Sequence, residues 1–305
     1  EILTRVTENH PQHARSMLQR ARLERLAGDL DAARKWAENA TLTTPTELPP
    51  RKLLVELLLQ AGEQAAAVDE ANAAARRADA AVEGQFLLAG TLARVGRTDE
   101  AAAQYRLLAR RSGVTHRDLF RVARAQVALG AYAAASATLF QAQRIAPQVR
   151  AYREAATEVE LFAENYPVAR EQAQALLSED PDNPMAHVLL ARALTGLGEL
   201  EGSAEQFAEA VALRPDSREL HLSWHRSLLA IGAQDRARKV LDDWMAAHPD
   251  DIPVALAQAQ ILMQTAQWSE AASIMTRVLE RQPENPLLLN NLAYVQYRLG
   301  DARAL

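Results

Sequence analysis

The sequence predicts an all-α fold: a solenoid of antiparallel helix hairpins repeating every 34 residues. Three observations predict it. Hydrophobic residues make up 49% of the chain but aromatics only 5%, so the apolar content is mostly Ala and Leu, both strong helix formers. Gly and Pro recur at fixed positions of the period. Small residues fill two further columns in the same register.

Steps of 34 residues from Gly198 reach Gly28, Gly62, Gly96, Gly130, Glu164, Gly232, Ala266 and Gly300. Steps from Pro215 reach Pro11, Pro45, Asp79, Gly113, Pro147, Pro181, Pro249 and Pro283. The chain has only 12 Gly and 13 Pro, so chance does not set this spacing. Five residues after each turn stand Ala33, Ala67, Ala101, Ala135, Ala169, Ser203, Ala237 and Ala271. Seven residues before it stand Ala21, Val55, Ala89, Ala123, Thr157, Ala191, His225, Ala259 and Ala293. Between these breakers the apolar residues fall at helical spacing, as in Leu189, Leu190, Ala193, Leu194 and Leu197. Gly lets the chain reverse between two helices, Pro ends the second or opens the next, and the small columns let helix backbones approach. One hairpin cannot bury its own apolar face, whereas stacked hairpins can.

The expected organisation is a single solenoid over residues 1–305, with eight repeats over 14–285. They are 14–47, 48–81, 82–115, 116–149, 150–183, 184–217, 218–251 and 252–285. Residues 1–13 read as the end of an earlier repeat, and 286–305 as the first helix of a further, truncated one. Repeat 48–81 departs most, opening on Leu48-Pro49-Pro50. In repeat 150–183 the turn is Glu164-Asn165-Tyr166-Pro167, with Pro167 placed for a first helical turn. A chain that starts without Met and stops inside a repeat is expected to be part of a longer protein.

Period, Gly turn, Ala columns and Pro end together resemble the tetratricopeptide repeat (TPR) family over essentially the whole chain. The resemblance implies a right-handed superhelix whose first helices line a concave groove that binds peptides or proteins. By register the groove positions include Arg15, Gln19, Arg22, Lys52, Glu56, Phe86, Arg117, Phe120, Arg121, Arg124, Glu154, Glu158, Arg192, Arg226, Asn290, Tyr294 and Arg298. Arg22, Arg124, Arg192 and Arg226 share one column. Arg117, Arg121 and Arg124 crowd one helix face, where like charges four apart repel. Two compensations stay open: Glu154 and Glu158 on the next repeat, or an anionic ligand held by forked guanidinium hydrogen bonds. The Lys and Asn pattern of the chaperone-tail carboxylate clamp is absent.

The end of the chain, from Leu287 to Leu305, carries an LNNLA helix and a GDARAL turn. It resembles bacterial envelope repeat proteins, above all the PrsT-type lipoproteins of exosortase (PEP-CTERM) and exopolysaccharide systems. Rivals are the repeat proteins of the Pel, cellulose and alginate systems. This resemblance implies a periplasmic, outer-membrane-associated scaffold, anchored only through a part absent from this chain. The shortened turn places Ala304 in the small column.

Charge excludes a dedicated nucleic-acid binder: the net is −5, divided as +4 over residues 1–147 and −9 over 148–305. The chain has no cysteine, so disulfide and thiolate chemistry are excluded. No phosphate loop, dinucleotide fingerprint or nucleophile elbow is present. His187, His221 and His225 are the only metal-like grouping. The segment His221-Leu-Ser-Trp-His225 lacks the Glu of a zinc-hydrolase motif, and these positions face the hairpin interior. Trp36, Trp224, Trp244 and Trp268 read as packing residues. No catalytic residue, cofactor or metal is expected. The leading function is a non-enzymatic scaffold for a protein or peptide. The alternatives are a module touching an anionic polysaccharide through the Arg column with Phe86, Phe120 and Tyr294, and the regulatory arm of an enzyme whose catalytic domain lies outside this chain.

Overall fold

The computed structural model describes residues 13–76, 81–248 and 251–300. Among them are seventeen α-helices and no strand. In chain order they are α1 (Ala14–Ala27), α2 (Leu30–Thr43), α3 (Leu48–Gln60), α4 (Gln64–Ala75), α5 (Ala81–Arg94), α6 (Thr98–Ala109), α7 (His116–Ala128), α8 (Tyr132–Ile145), α9 (Arg150–Phe162), α10 (Tyr166–Glu179), α11 (Pro184–Leu197), α12 (Leu200–Leu213), α13 (Arg218–Ala230), α14 (Gln234–Ala247), α15 (Ile252–Gln264), α16 (Trp268–Leu279) and α17 (Pro286–Arg298). The first helices keep the sequence stride, with a one-residue early start only at Ala81. Residues 1–12, expected to end an earlier repeat, lie outside the described residues. So do Pro11, Asp79, Pro249 and Ala304 of the columns.

The turn column works through the backbone. Gly28, Gly62, Gly96, Gly130, Gly198, Gly232 and Gly300 all adopt φ between +70° and +88°. The two non-glycine members, Glu164 and Ala266, take φ of +57° and +58°. Each turn closes like the one at Gly198, where Gly198 N–H donates to Thr195 O at 3.1 Å and Glu199 N–H to Leu194 O at 2.9 Å. This paired closure satisfies the last carbonyls of the first helix and needs a left-handed residue. The proline column works differently from a simple stop. Pro181 lies one residue after Asp180, whose carbonyl accepts Asn183 N–H at 3.2 Å. Pro215 stands likewise inside the Arg214–Ser217 turn, and Pro283 inside Gln282–Asn285. Proline is thus the second residue of a β-turn, where its fixed φ is preset. The fourth turn residue then caps the next helix. Asn183 Oδ1 accepts Met185 N–H, Ser217 Oγ accepts Leu220 N–H, Asp251 Oδ1 accepts Val254 N–H, and Asn285 Oδ1 accepts Leu287 N–H. Pro167 sits in the first turn of α10, as its spacing predicts.

The chain divides into two compact units between Val159 and Glu160. In the first, Leu18, Leu53, Leu54, Leu57, Leu58 and Leu92 form one cluster, and Tyr105, Leu108, Leu119, Val122 and Tyr152 another. In the second, Leu176, Leu189, Leu190 and Leu194 pack around α10 and α11. Trp244, Val254, Ile261, Leu262, Met275, Leu288 and Val295 continue that unit over α14–α17. Burying each such side chain is worth about 1.5–3 kcal/mol. Every small-column residue from Ala33 to Ala271 is at most 1% exposed, including Ser203. In the companion column Ala293 is only half-buried. No helix among the described residues is long and apolar enough to cross a membrane.

His225 occupies the companion column and is 4% exposed. Its Nδ1–H donates to Ala237 O at 3.0 Å. Burial pushes its pKa down, opposed by that hydrogen bond and reinforced by Arg226. The other two histidines point elsewhere. His187 lies between Gln206 and Pro181 O, and His221 rests on Trp244 with ring centroids 4.6 Å apart.

Two outcomes follow from these backbone and burial features. Ala266→Gly relieves a left-handed alanine and should raise stability by about 0.5–1 kcal/mol, whereas Gly198→Ala should lower it by about as much. Urea denaturation of both variants checks the opposite signs. The folded His225 holds a proton less readily than the unfolded residue, whose pKa is about 6.5. Its contribution is therefore full above that pH and is lost as pH falls below it toward the depressed folded value. His225→Thr, matching Thr157 in the same column, should flatten the fall of Tm below about pH 6.5 relative to the parent. Equal slopes for parent and variant would refute this.

Candidate partner-binding site

Of the predicted groove residues, Arg22, Phe86 and Arg121 line openings in the first unit and Arg192 and Arg226 a cavity in the second. In the first unit a cavity of about 300 Å³ is lined by Leu48, Lys52, Val55, Glu56, Glu83, Phe86, Leu87, Gly90, Thr91, Arg94 and Arg121. A second opening of about 340 Å³ shares Lys52, Glu56 and Glu83 and adds Arg22 and Arg25. Arg25 is paired with Glu56 at 2.7 Å. Arg121 lies 4.0 Å above the Phe86 ring and forks onto Glu83, at 2.5 Å and 3.1 Å, with Asp118 at 3.2 Å. The Glu83 hydrogen bond raises the Arg121 pKa, partly opposed by burial.

This corrects the expected compensation for Arg121, which is Glu83 on the preceding repeat rather than Glu154 or Glu158 on the next. Long helical side chains lean toward their own N-terminus, which carries Arg121 toward the first turns of α7 and α5. Asp118 itself belongs to a capping box with Thr115, which opens α7. Arg117 and Arg124 are exposed, and neither lines a described cavity. Phe120 is not an open groove aromatic. It is half-buried against Tyr152, with centroids 5.2 Å apart.

The second unit holds a larger cavity, of about 420 Å³. Leu161, Tyr166, Leu200 and Phe207 supply apolar surface. Thr195, Ser203, Ser223 and Ser227 supply hydroxyls, Gly196 and Ala230 complete the lining, and Arg192 and Arg226 stand at its wall. The two arginines come from the same column on α11 and α13. The Arg192 guanidinium stacks on Phe162 at 5.7 Å. Arg226 donates to Leu222 O at 3.2 Å and Ser223 Oγ at 3.3 Å, both neutral acceptors on its own helix. Asn290 and Tyr294 sit apart from this cavity on α17. Both are exposed, and Tyr294 Oη accepts a hydrogen bond from Arg298 at 2.9 Å. Arg298 also covers Trp268 at 4.3 Å.

Sequence reasoning found the arginine column but missed Glu83, Tyr166, Ser223 and Ser227. The available signal was spacing: Ser223, Arg226 and Ser227 lie on one helical face. Tyr166 is held by a glycine that no turn requires. A Cβ at Gly196 would stand 2.3 Å from Tyr166 Cδ1. Gly196→Ala should therefore cost about 1–3 kcal/mol through overpacking. At Gly202 an added Cβ meets only Leu194 Cδ1, at 3.4 Å, so Gly202→Ala should be neutral or stabilise by up to about 1 kcal/mol. Thermal melts of the two variants separate close packing from simple helix propensity.

Comparison with solved structures finds chains of low sequence identity that are similar in part. A tetratricopeptide repeat protein of Parabacteroides merdae is 13% identical, over 93% of this chain and 98% of that one, with a TM-score of 0.49. A thermophilic TPR protein of Thermus thermophilus is 21% identical over 60% of this chain and 100% of its own, with a TM-score of 0.44. MamA of Desulfovibrio magneticus, from residue 41 onward, is 20% identical over 56% of this chain and 96% of its own, with a TM-score of 0.44. No curated protein matches. TPR proteins are generally non-catalytic scaffolds that bind protein partners. The tetratricopeptide repeat family model matches residues 1–45, 158–218 and 256–303, half of the sequence, and the chain belongs to that family.

Proposed function

We propose that the chain is a non-enzymatic scaffold that binds a protein or peptide on the first-helix faces of its repeats, in a bacterial envelope system for exopolysaccharide secretion or protein sorting. One observation carries the binding reading. The cavity beside Arg192 and Arg226 joins apolar surface, hydroxyl groups and two guanidinium groups of successive repeats, the mixture that protein-binding surfaces use for anchoring. The envelope setting is supported by the resemblance of residues 287–305. The polysaccharide reading needs open aromatic faces. Arg121 covers Phe86, Phe120 packs on Tyr152, and Arg298 lies 5.9 Å from the Tyr294 ring centroid. The protein reading needs none of these faces.

A photo-crosslinking residue placed at the exposed Glu219, two turns before Arg226 on the same face of α13, tests the proposal in the native cell. The expected product is a defined protein adduct, identified by mass spectrometry as an envelope component. Adducts with glycan alone, or none at all, would overturn the scaffold reading, and a purely cytoplasmic partner would overturn its setting.

A further inference from the structure

Three small residues, Ser223, Ser227 and Ala230, border the cavity beside Arg192 and Arg226. Ala230 shares a column with Gln60, Arg94, Phe162, Gln264 and Arg298, and with the small Ala128 and Gly196. Ser223 stands where Leu53 and Leu189 are buried, in a column that also holds Ala155 and Ala257. Ser227 stands where Leu57, Val159, Ile261 and Val295 are each at most 5% exposed, in a column that also holds Thr91, Ala125 and Ala193. Helix interfaces normally close such space, because every unfilled volume forfeits dispersion contacts. Here Ser223, Ser227 and Ala230 meet at one hollow, lined on its other side by Leu161, Tyr166, Leu200 and Phe207. The Tyr166 ring lies over Gly196, in the space a Cβ there would take.

We propose that this hollow is a pocket for one large apolar side chain of a partner's linear segment, with an acidic residue of the same segment held by Arg226 beside it. The proposal deepens the scaffold reading and rests on it. Its volume of about 420 Å³ falls in the range of about 300–1,000 Å³ typical of ligand pockets. Leu161, Leu200 and Phe207 supply the apolar contact that an aromatic or leucine side chain needs. Charge complementarity selects the neighbour: Arg226 makes its described hydrogen bonds only to neutral oxygens of α13. A carboxylate offers its planar fork a better acceptor than either of these. The serines and Thr195 add no charge and already bond within the fold, as Thr195 Oγ1 does with Ala191 O at 2.9 Å and Ser227 Oγ with Trp224 O at 2.7 Å.

The test pans a display library of eight-residue peptides on the full chain, then titrates the enriched peptide against variants. Enrichment of Phe, Trp or Leu one to three residues from Asp or Glu is expected. Ser227→Ile, which borrows the residue found at Ile261, should weaken that peptide at least about tenfold while leaving Tm unchanged or higher. A merely structural serine would not give that pair of results. Arg226→Glu should weaken it about tenfold and abolish the preference for an acid. Arg117→Glu, in the other unit, should leave it unchanged. No such enrichment, or an enriched peptide indifferent to Ser227→Ile and Arg226→Glu, would overturn the pocket. If the crosslink at Glu219 still captured an envelope protein in that case, the scaffold reading would stand without the pocket. Loss of both would remove the two together.

Discussion

Every described hairpin depends on the close approach of two helices at a residue no larger than serine. The column from Ala33 to Ala271 is almost wholly buried, and it lies five residues after a backbone held in the left-handed region. The two features depend on each other. The paired turn hydrogen bonds, such as Glu199 N–H to Leu194 O, leave only two or three residues between helices. So short a link brings the second helix back at close range, where a larger side chain would hold the backbones apart. Glu164 and Ala266 show the strength of the constraint, since both adopt the left-handed conformation without being glycine. Tertiary packing over-determines the turn and outweighs a local cost of about 1–2 kcal/mol.

With hairpin geometry fixed in this way, variation is left to columns outside the contact, and these decide what each groove segment is. In the first unit the column residues are long and charged. Arg121 bridges back to Glu83 over Phe86, so its cation is largely satisfied internally. Such exposed pairs contribute little to stability, about 0–1 kcal/mol, but they do occupy the surface. In the second unit Ser223, Ser227 and Ala230 border a hollow beside Arg192 and Arg226, and the described hydrogen bonds of Arg226 go to neutral oxygens. One repeat architecture therefore yields an ion-paired hollow in one unit and a less ion-paired one in the other without a change in backbone plan.

Much of this was legible in the sequence. Glycine at Gly28, Gly62 or Gly198 reports a positive φ because almost nothing else adopts one readily, and alanine at Ala33 or Ala237 reports contact because nothing larger fits. These residues have one physical reason for being where they are. The capping residues were equally periodic but harder to see. Asn183, Ser217, Asp251 and Asn285 do one job with three residue types, so no single letter repeats. The site was less legible still. An arginine column announces charge, but whether each guanidinium is occupied depends on side-chain direction, and Arg121 turns back to Glu83, which neither of the two open compensations named. The cavity is bordered by Ser223 and Ser227, and a small polar residue on a helix carries no mark of what it fails to fill.

The charge balance adds a constraint on how an acidic partner meets this surface. Residues 148–305 carry a net −9, yet the cavity wall within that half presents Arg192 and Arg226. At low ionic strength the Debye length is about 30 Å at 0.01 M, so the whole acidic half repels an acidic segment before contact. At physiological salt the length falls to about 8 Å, and only charges near the cavity act. Screening therefore removes the long-range repulsion first and the short-range guanidinium attraction last. Selectivity for an acidic segment then arises from contact rather than from steering. A surface of this kind discriminates among segments already brought close by other repeats, instead of gathering anions from solution.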